Sequence, residues 1–442
     1  MKTISLFILF LFQLVIFAQE PKGDRMIAWI AETVEGEEYP DALAYASAGC
    51  MESVHHFFKW SDLETEPGVF DSTFLSDNLD LVNWFYPLYD LKVEMTIAIT
   101  NTTAKETPED LLAVDYDDPT FINRFKTLLD TVFVHISDVD IVVLNIGNET
   151  DILFGTDASE YEAYSVFLDS IVPYAKARYN ELYSKELSLG ATMTLEGLTS
   201  PEKGDLCAML NAHTDIISTT YYPLAFDFTM KDPEVVLEDF DALVEAYADS
   251  DQPIFFSECG YASSETCNSS DAQQAQFYSK VFEAWDLHAD RIKYLTVFKL
   301  TDWTEEDVIE FGEYYGLDDP IFLEYLRTLG LRDEDGNFKV GYDFILCELA
   351  ARDWCDTECA LTEIEENQDQ NVLIYPQPAS EELTVNVPNQ EIRDLKLLDQ
   401  TGRLVRQVMS STMLVNELPS GIYIVHVETQ TGIVLREKVI VR

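Results

Sequence analysis

DIVVLNIGNE (Asp140–Glu149) and PIFFSECG (Pro253–Gly260) carry the first information about architecture. Each runs apolar with almost no alternation and then stops at a glutamate, Glu149 in one case and Glu258 in the other. A strand with one wet face alternates in polarity. A strand without alternation is covered on both faces, as in a parallel sheet flanked by helices. Extending the reading in both directions gives eight such segments: Met26–Ala31, Val54–Trp60, Val93–Thr100, Asp140–Ile146, Leu187–Met193, Asp215–Tyr221, Pro253–Ser257 and Ile292–Lys299. Between them lie stretches with helical periodicity, including Phe121–Phe133, Tyr161–Leu182 and Ala272–Ala289, with helix starts at Asp118-Pro119 and Ser159. Eight strand–helix units in one run predict a (β/α)8 barrel over residues 19–356, an α/β fold with enlarged loops.

The ends of the chain read differently. Met1-Lys2 followed by an apolar run from Ile4 to Phe17 and a small Ala18 has the form of a signal peptide, residues 1–18, too short to span a bilayer. No later apolar run is long enough for a membrane span. Ala360–Gln370 is polar and acidic, which places a linker over 357–371. From 372 to 442 the pattern becomes short alternating strands broken by turns, the signature of a small antiparallel β-sandwich.

Charge and missing motifs narrow the function. Acidic residues number 81 against 28 basic ones, for a net charge of −53, and nearly all of it precedes the tail. Such a surface repels phosphate backbones and anionic lipids, so neither nucleic acid nor a membrane is an expected partner. There is no HExxH, no GxxxxGK[ST], no GxGxxG and no GxSxG. No cofactor and no metal are expected, and the chemistry falls to carboxylates. The seven cysteines are Cys50, Cys207, Cys259, Cys267, Cys347, Cys355 and Cys359. Cys259 with Cys267, and Cys347 with Cys355 or Cys359, are candidate bridges; Cys50 and Cys207 read as small buried apolar residues.

Barrels of this kind do their chemistry at the carboxyl ends of the strands. Glu149 and Glu258 end the fourth and seventh strands, and an acid at the end of an apolar strand is costly without a function. Hydrolysis of a glycosidic bond needs two such carboxyls flanking it.

At these residues the chain resembles glycoside hydrolase clan A, in which an Asn-Glu pair ends strand four and a second Glu ends strand seven. The matching pieces are NIGNE with Asn148-Glu149, FFSECGY with Glu258, FKWSDLETEPGVFD (Phe58–Asp71), TYYP (Thr220–Pro223), KLTDW (Lys299–Trp303) and GLRDEDGNFKVGYDF (Gly330–Phe344). GNE and TYYP look most like the arabinogalactan endo-β-1,4-galactanases. The third strand, however, ends in ITNTTAKE (Ile99–Glu106), without the aspartate- and tryptophan-rich motif of those enzymes. The resemblance implies a retaining hydrolase of a β-linked polysaccharide or oligosaccharide, with Glu149 as acid/base and Glu258 as nucleophile. It further implies Asn148 on the sugar 2-hydroxyl, Tyr222 or its neighbour Tyr221 on the nucleophile, and Trp303 and Trp60 as sugar-facing aromatics. The tail resembles the C-terminal sorting domain of the type IX secretion system. The motifs are YPQPASEELTV (Tyr375–Val385), DQTGRLV (Asp399–Val405) and LPSGIYIVHVETQTG (Leu418–Gly432). This implies the type IX machinery as a partner, and a bacterial protein secreted or held on the outer cell surface.

Overall fold

The computed structural model of the protein describes residues 20–357, 359, 373–376, 379–387, 392–398, 404–416, 418–419, 421–429 and 434–441. The expected signal peptide and most of the expected linker lie outside the described residues. The chain divides into two compact units, Met1–Ala360 and Leu361–Arg442.

All eight expected strands are present in the first unit. We number them β1 (Met26–Trp29), β2 (Ser53–Lys59), β3 (Lys92–Asn101), β4 (Ile141–Asn148), β5 (Leu189–Gly190 with Thr192–Thr194), β6 (Ile217–Tyr221), β7 (Ile254–Cys259) and β8 (Ile292–Val297). Each is parallel to its neighbours, and β8 returns to pair with β1 through Met26↔Tyr294 and Trp29↔Val297. Strand β5 closes the remaining gap in two halves. Leu189 and Gly190 pair with β4, and Thr192–Thr194 pair with β6. The sheet is a closed (β/α)8 barrel, and closure leaves no edge to protect.

Helices cover it because their apolar faces leave no other stable option. In Pro119–Val134, Phe121, Phe125, Leu128, Leu129 and Val132 are buried at helical spacing. Each fully buried side chain of this size contributes about 1.5–3 kcal/mol. That helix starts as expected: Asp118 caps it by accepting from Thr120 N at 2.6 Å, and Pro119 opens it. The next long helix, Ala158–Tyr183, starts one step earlier than expected. Asp157 is its cap, and Ser159 only donates to it. Asp333–Asn337 is a tight turn held by backbone bonds from Asp333 N to Asn337 O and from Gly336 N to Asp333 O.

The cysteine pairing matches one candidate, Cys347 with Cys359, and departs from expectation at Cys50, Cys259 and Cys267. Cys50 is not a lone apolar residue; it is bonded to Cys355, 305 residues away, and Cys347 is bonded to Cys359. Barrel closure is the reason. The final helix, Val340–Ala351, lies against the first βα unit, where Tyr342 Oη donates to Tyr45 O at 2.8 Å. Sequence proximity therefore misled for Cys259 and Cys267, which are free and buried, as is Cys207.

The second unit is the expected small antiparallel sandwich. One sheet is formed by Leu373–Tyr375, Glu382–Asn386 and Thr412–Leu414, and the other by Leu404–Val408, Ile392–Leu398, Gly421–Thr429 and Val434–Val441. Leu383, Val385 and Met413 of the first sheet share a core with Leu395, Leu397, Val425 and Val427 of the second. Among the described residues, no helix is long and apolar enough to cross a membrane.

Candidate active site

The mouth of the barrel is formed where the strands end. At the end of β4, Gly147 has φ +82, and an added Cβ would lie 2.6 Å from both Thr100 Oγ1 and Tyr164 Oη. Only glycine fits, and the turn it makes carries Asn148 and Glu149 into the mouth. Glu149 itself is left-handed (φ 47, ψ 41), a conformation that costs a residue with a Cβ about 1–2 kcal/mol. It persists because neighbours fix it. Thr102 Oγ1 donates to Glu149 Oε2 at 2.7 Å, and Thr220 Oγ1 donates to Oε1 at 2.8 Å. Two residues on, the buried Asp151 ties this loop to the end of β5 by accepting from Thr194 N and Thr194 Oγ1, each at 2.8 Å, and from Lys203 Nζ at 3.1 Å.

Glu258 is presented differently. Strict alternation on β7 would turn it away if Ser257 faces inward, as Ser257 does in bonding Ser218 Oγ at 2.6 Å across the interior. The register of β7 slips between Phe256 and Cys259 against β8, and between Thr219 and Thr220 against β6. Such an irregularity re-aims a side chain. Glu258 thereby reaches Tyr222, whose Oη donates to Oε2 at 2.6 Å. Of the two tyrosines in TYYP, Tyr222 makes this contact; Tyr221 Oη donates to Asp239 Oδ2 at 2.7 Å instead.

The two carboxyls lie in each other's field and have different company. Burial, helped by the charge of Glu258, pushes the Glu149 pKa up to about 7. Burial also raises that of Glu258, while His55 and the Tyr222 hydroxyl pull it back down. Both carboxyls are thus held above the ordinary range, Glu149 with the Thr102 and Thr220 hydroxyls favouring its charge and Glu258 with His55 and the Tyr222 phenol favouring its own. Tyr222 is pushed well above the ordinary phenol range by burial and by Glu258, so it stays a donor.

The other expected residues divide. Asn148 is at the mouth and donates from Nδ2 to Asn101 Oδ1 at 3.2 Å. Trp303 is half-buried behind Phe298, with ring centroids 5.6 Å apart, and Phe298 stands edge-on to Tyr222 at 5.5 Å. Trp60 is corrected. It is 0% exposed, wedged between Phe121 and Phe125, and donates from Nε1 to Glu64 Oε2 at 2.7 Å. A ring with no accessible face cannot take a sugar, so Trp60 is core.

Several mouth residues went unforeseen. Thr102 and Thr220 follow or end strands and are visible in ITNTTAKE and TYYP, although nothing marks them as partners of Glu149. Phe298, immediately before Lys299, holds the strand-end place expected of Trp303. Tyr315 and Tyr325 come from Glu305–Tyr315 and Pro320–Arg327, in the excursion after β8; their phenols feel the charges of both Glu149 and Glu258. Tyr314 beside them donates to Glu106 Oε1 at 2.6 Å and lies under Lys59 Nζ, 4.4 Å from the ring centroid. Among the described residues, no group of three or more His, Cys, Asp or Glu could hold a metal ion.

The barrel is similar to solved structures at low sequence identity. An exo-β-1,4-mannosidase from Opitutaceae bacterium strain TAV5 is 16% identical, with a TM-score of 0.54 over 74% of this chain; the chain spans 60% of that protein. A GH5_18 protein from Bifidobacterium longum subsp. longum, in complex with Manβ1-4GlcNAc, is 16% identical, with a TM-score of 0.56 over 75% of this chain and 80% of its own. A second, from Bifidobacterium longum subsp. infantis, is 15% identical, with a TM-score of 0.55 over 74% and 80%. No curated protein sequence matches the chain. Residues 373–442 match the family model of the secretion system C-terminal sorting domain. In fold, then, this is a (β/α)8 barrel of the kind those three proteins carry, and its last domain is a sorting domain that directs it by type IX secretion to the cell surface or the extracellular space.

Proposed function

We propose that the barrel is a retaining glycoside hydrolase that cleaves β-glycosidic bonds of an extracellular polysaccharide. The observation that carries this reading is the pair of strand-end carboxyls given unlike surroundings, Glu149 held by the Thr102 and Thr220 hydroxyls and Glu258 by the Tyr222 phenol. Hydrolysis with retention needs one carboxyl that holds a proton near neutral pH and one that does not. Glu149, with its pKa near 7, suits the first role. Glu258, with a phenol at 2.6 Å, suits the second.

In the first step the Glu258 carboxylate attacks the anomeric carbon. The bond to the leaving oxygen breaks as that oxygen takes the Glu149 proton, leaving a glycosyl ester on Glu258. In the second step Glu149, now a carboxylate, removes a proton from water. The water oxygen displaces Glu258, which leaves as a carboxylate, and the β-configuration is restored. Asn148 would hold the 2-hydroxyl, and Phe298 with Trp303 behind it would floor the subsite for the distorted ring.

The test is a panel of β-1,4-mannans, galactans, glucans and xylans with aryl β-glycosides, beginning with mannosides because two of the similar structures concern β-linked mannose. Wild type should hydrolyse at least one, NMR should show the β-anomer first, and Glu258→Gln should abolish turnover. A folded wild-type protein that binds glycans but cleaves none, with Glu258→Gln binding equally well, would identify a glycan-binding barrel and reject the hydrolase.

A further inference from the structure

Below the two glutamates the barrel interior is polar where such barrels are filled by branched apolar side chains. His55 on β2 stands opposite Glu94 on β3 in register, and His55 Nδ1 lies 3.2 Å from Glu94 Oε2. Their side chains are 5% and 0% exposed, so the pair is buried within the barrel. The other groups on Glu94 are donors too: Asn145 Nδ2 at 2.8 Å, Thr296 Oγ1 at 3.1 Å and the Tyr294 hydroxyl. A carboxylate surrounded by donors requires that His55 also donate. The same Asn145 amide reaches Ser257 Oγ at 3.2 Å, so the chain of contacts runs from His55 through Glu94 and Asn145 to the residue next to Glu258. Taking an ion pair out of water costs several kcal/mol per ion, and apolar side chains would fill this space at less cost.

Resting on the hydrolase reading, we infer that the buried His55–Glu94 pair is a positioning element whose imidazolium supplies the positive charge that keeps Glu258 a carboxylate while Glu149 retains its proton. The surrounding charges agree. Burial opposes the imidazolium, but Glu94 on β3 and Glu258 on β7 outweigh it and raise the His55 pKa. His56, the next residue along β2, is held neutral, its pKa pushed down to about 4 by burial and by the charge of His55. Tyr294 on β8, bonded to Ser53, keeps its proton beside Glu94. At the mouth, Glu258 shares its field with Glu149 and accepts from Tyr222. Of these buried groups His55 is the one whose imidazole is drawn toward its charged form, and unlike arginine it titrates.

The experiment uses the full chain. His55→Gln should lower kcat/KM increasingly as pH falls, by on the order of ten-fold on the acidic limb, with KM little changed. His55→Lys, which keeps the charge, should return that limb to its wild-type position. A loss equal at every pH in both variants, or no loss, overturns the inference in favour of a packing role. If His55→Gln gives no cooperative melt, histidine-ring NMR of the wild type and Glu258→Gln decides. His55 should titrate above 6.5 in the wild type and lower in Glu258→Gln, since the two charges act on each other reciprocally. An unmoved His55 titration overturns the inference. An inactive wild type rejects the hydrolase reading alone, because the NMR shift still reports whether His55 and Glu258 are coupled.

Discussion

Tyr222→Phe removes one oxygen and little else. The ring is held edge-on by Phe298 and Tyr325, with centroids 5.5 and 6.0 Å away, so the phenylalanine keeps its place. What disappears is a 2.6 Å hydrogen bond to Glu258. A hydrogen bond to a charged group contributes about 1.5–3 kcal/mol net. The step at which it is lost decides what is seen. In the first step the negative charge on Glu258 is discharged into the sugar bond, so the donor is needed less as the reaction proceeds. In the second step Glu258 is the leaving group and regains its charge, so the donor stabilises the transition state. Most of the loss should therefore fall on hydrolysis of the glycosyl ester. At 1.36 kcal/mol per decade, kcat should drop by about 10–150-fold. The fall in kcat/KM should be smaller, and KM should drop as the intermediate accumulates. Stopped-flow with an activated aryl β-glycoside should show a burst of aglycone equal to the enzyme concentration. A kcat within two-fold of wild type, or equal losses in kcat and kcat/KM with no burst, would refute the assignment of Tyr222 to the nucleophile.

Glu149, with its pKa near 7, should set the alkaline side of the rate profile: kcat/KM falls as pH rises through about 7, and Glu149→Gln removes that limb while lowering kcat by about 10²–10⁴-fold on unactivated glycosides. The same group links stability to pH. Its folded pKa is raised above the ordinary 4.5, so its contribution is full below that value and is lost as pH rises through about 7. The wild type should thus lose up to about 3 kcal/mol between pH 4 and pH 8 from this group, and Glu149→Gln should melt at higher temperature than wild type at pH 8. A variant that is less stable at pH 8 would contradict the raised pKa. Trp60→Ala should cost about 3–5 kcal/mol in denaturant unfolding, leaving kcat/KM of the folded protein unchanged; a selective loss of substrate affinity would restore Trp60 to the site. Cys355→Ser, which opens the bond to Cys50 across 305 residues, should lower stability by about 2–5 kcal/mol without altering the pH profile. A variant as stable as wild type under oxidising conditions would show that the bridge adds nothing.

Local pattern and composition were sufficient for the eight strands, the capped helix at Asp118, the sandwich tail and the two strand-end glutamates. Each of these is a property of neighbouring residues: apolar runs need cover on both faces, a cap needs an oxygen before the helix, and a turn glycine precedes Asn148. Contacts made by closing the barrel were not legible. Whether Trp60 faces the core or a sugar depends on where Phe121 and Phe125 arrive. Whether Cys50 pairs depends on the return of the chain 305 residues later. Tyr222 rather than Tyr221 reaches Glu258 because Ser218, Thr220 and Tyr222 alternate onto the inner face while Tyr221 turns outward to Asp239, and which face is inner is set only by the closed barrel. His55 and Glu94 lie 39 residues apart in chain and 3.2 Å apart in space. The strength of a hydrogen bond or a charge depends on distance and burial, and both are set only when all eight strands stand in one ring.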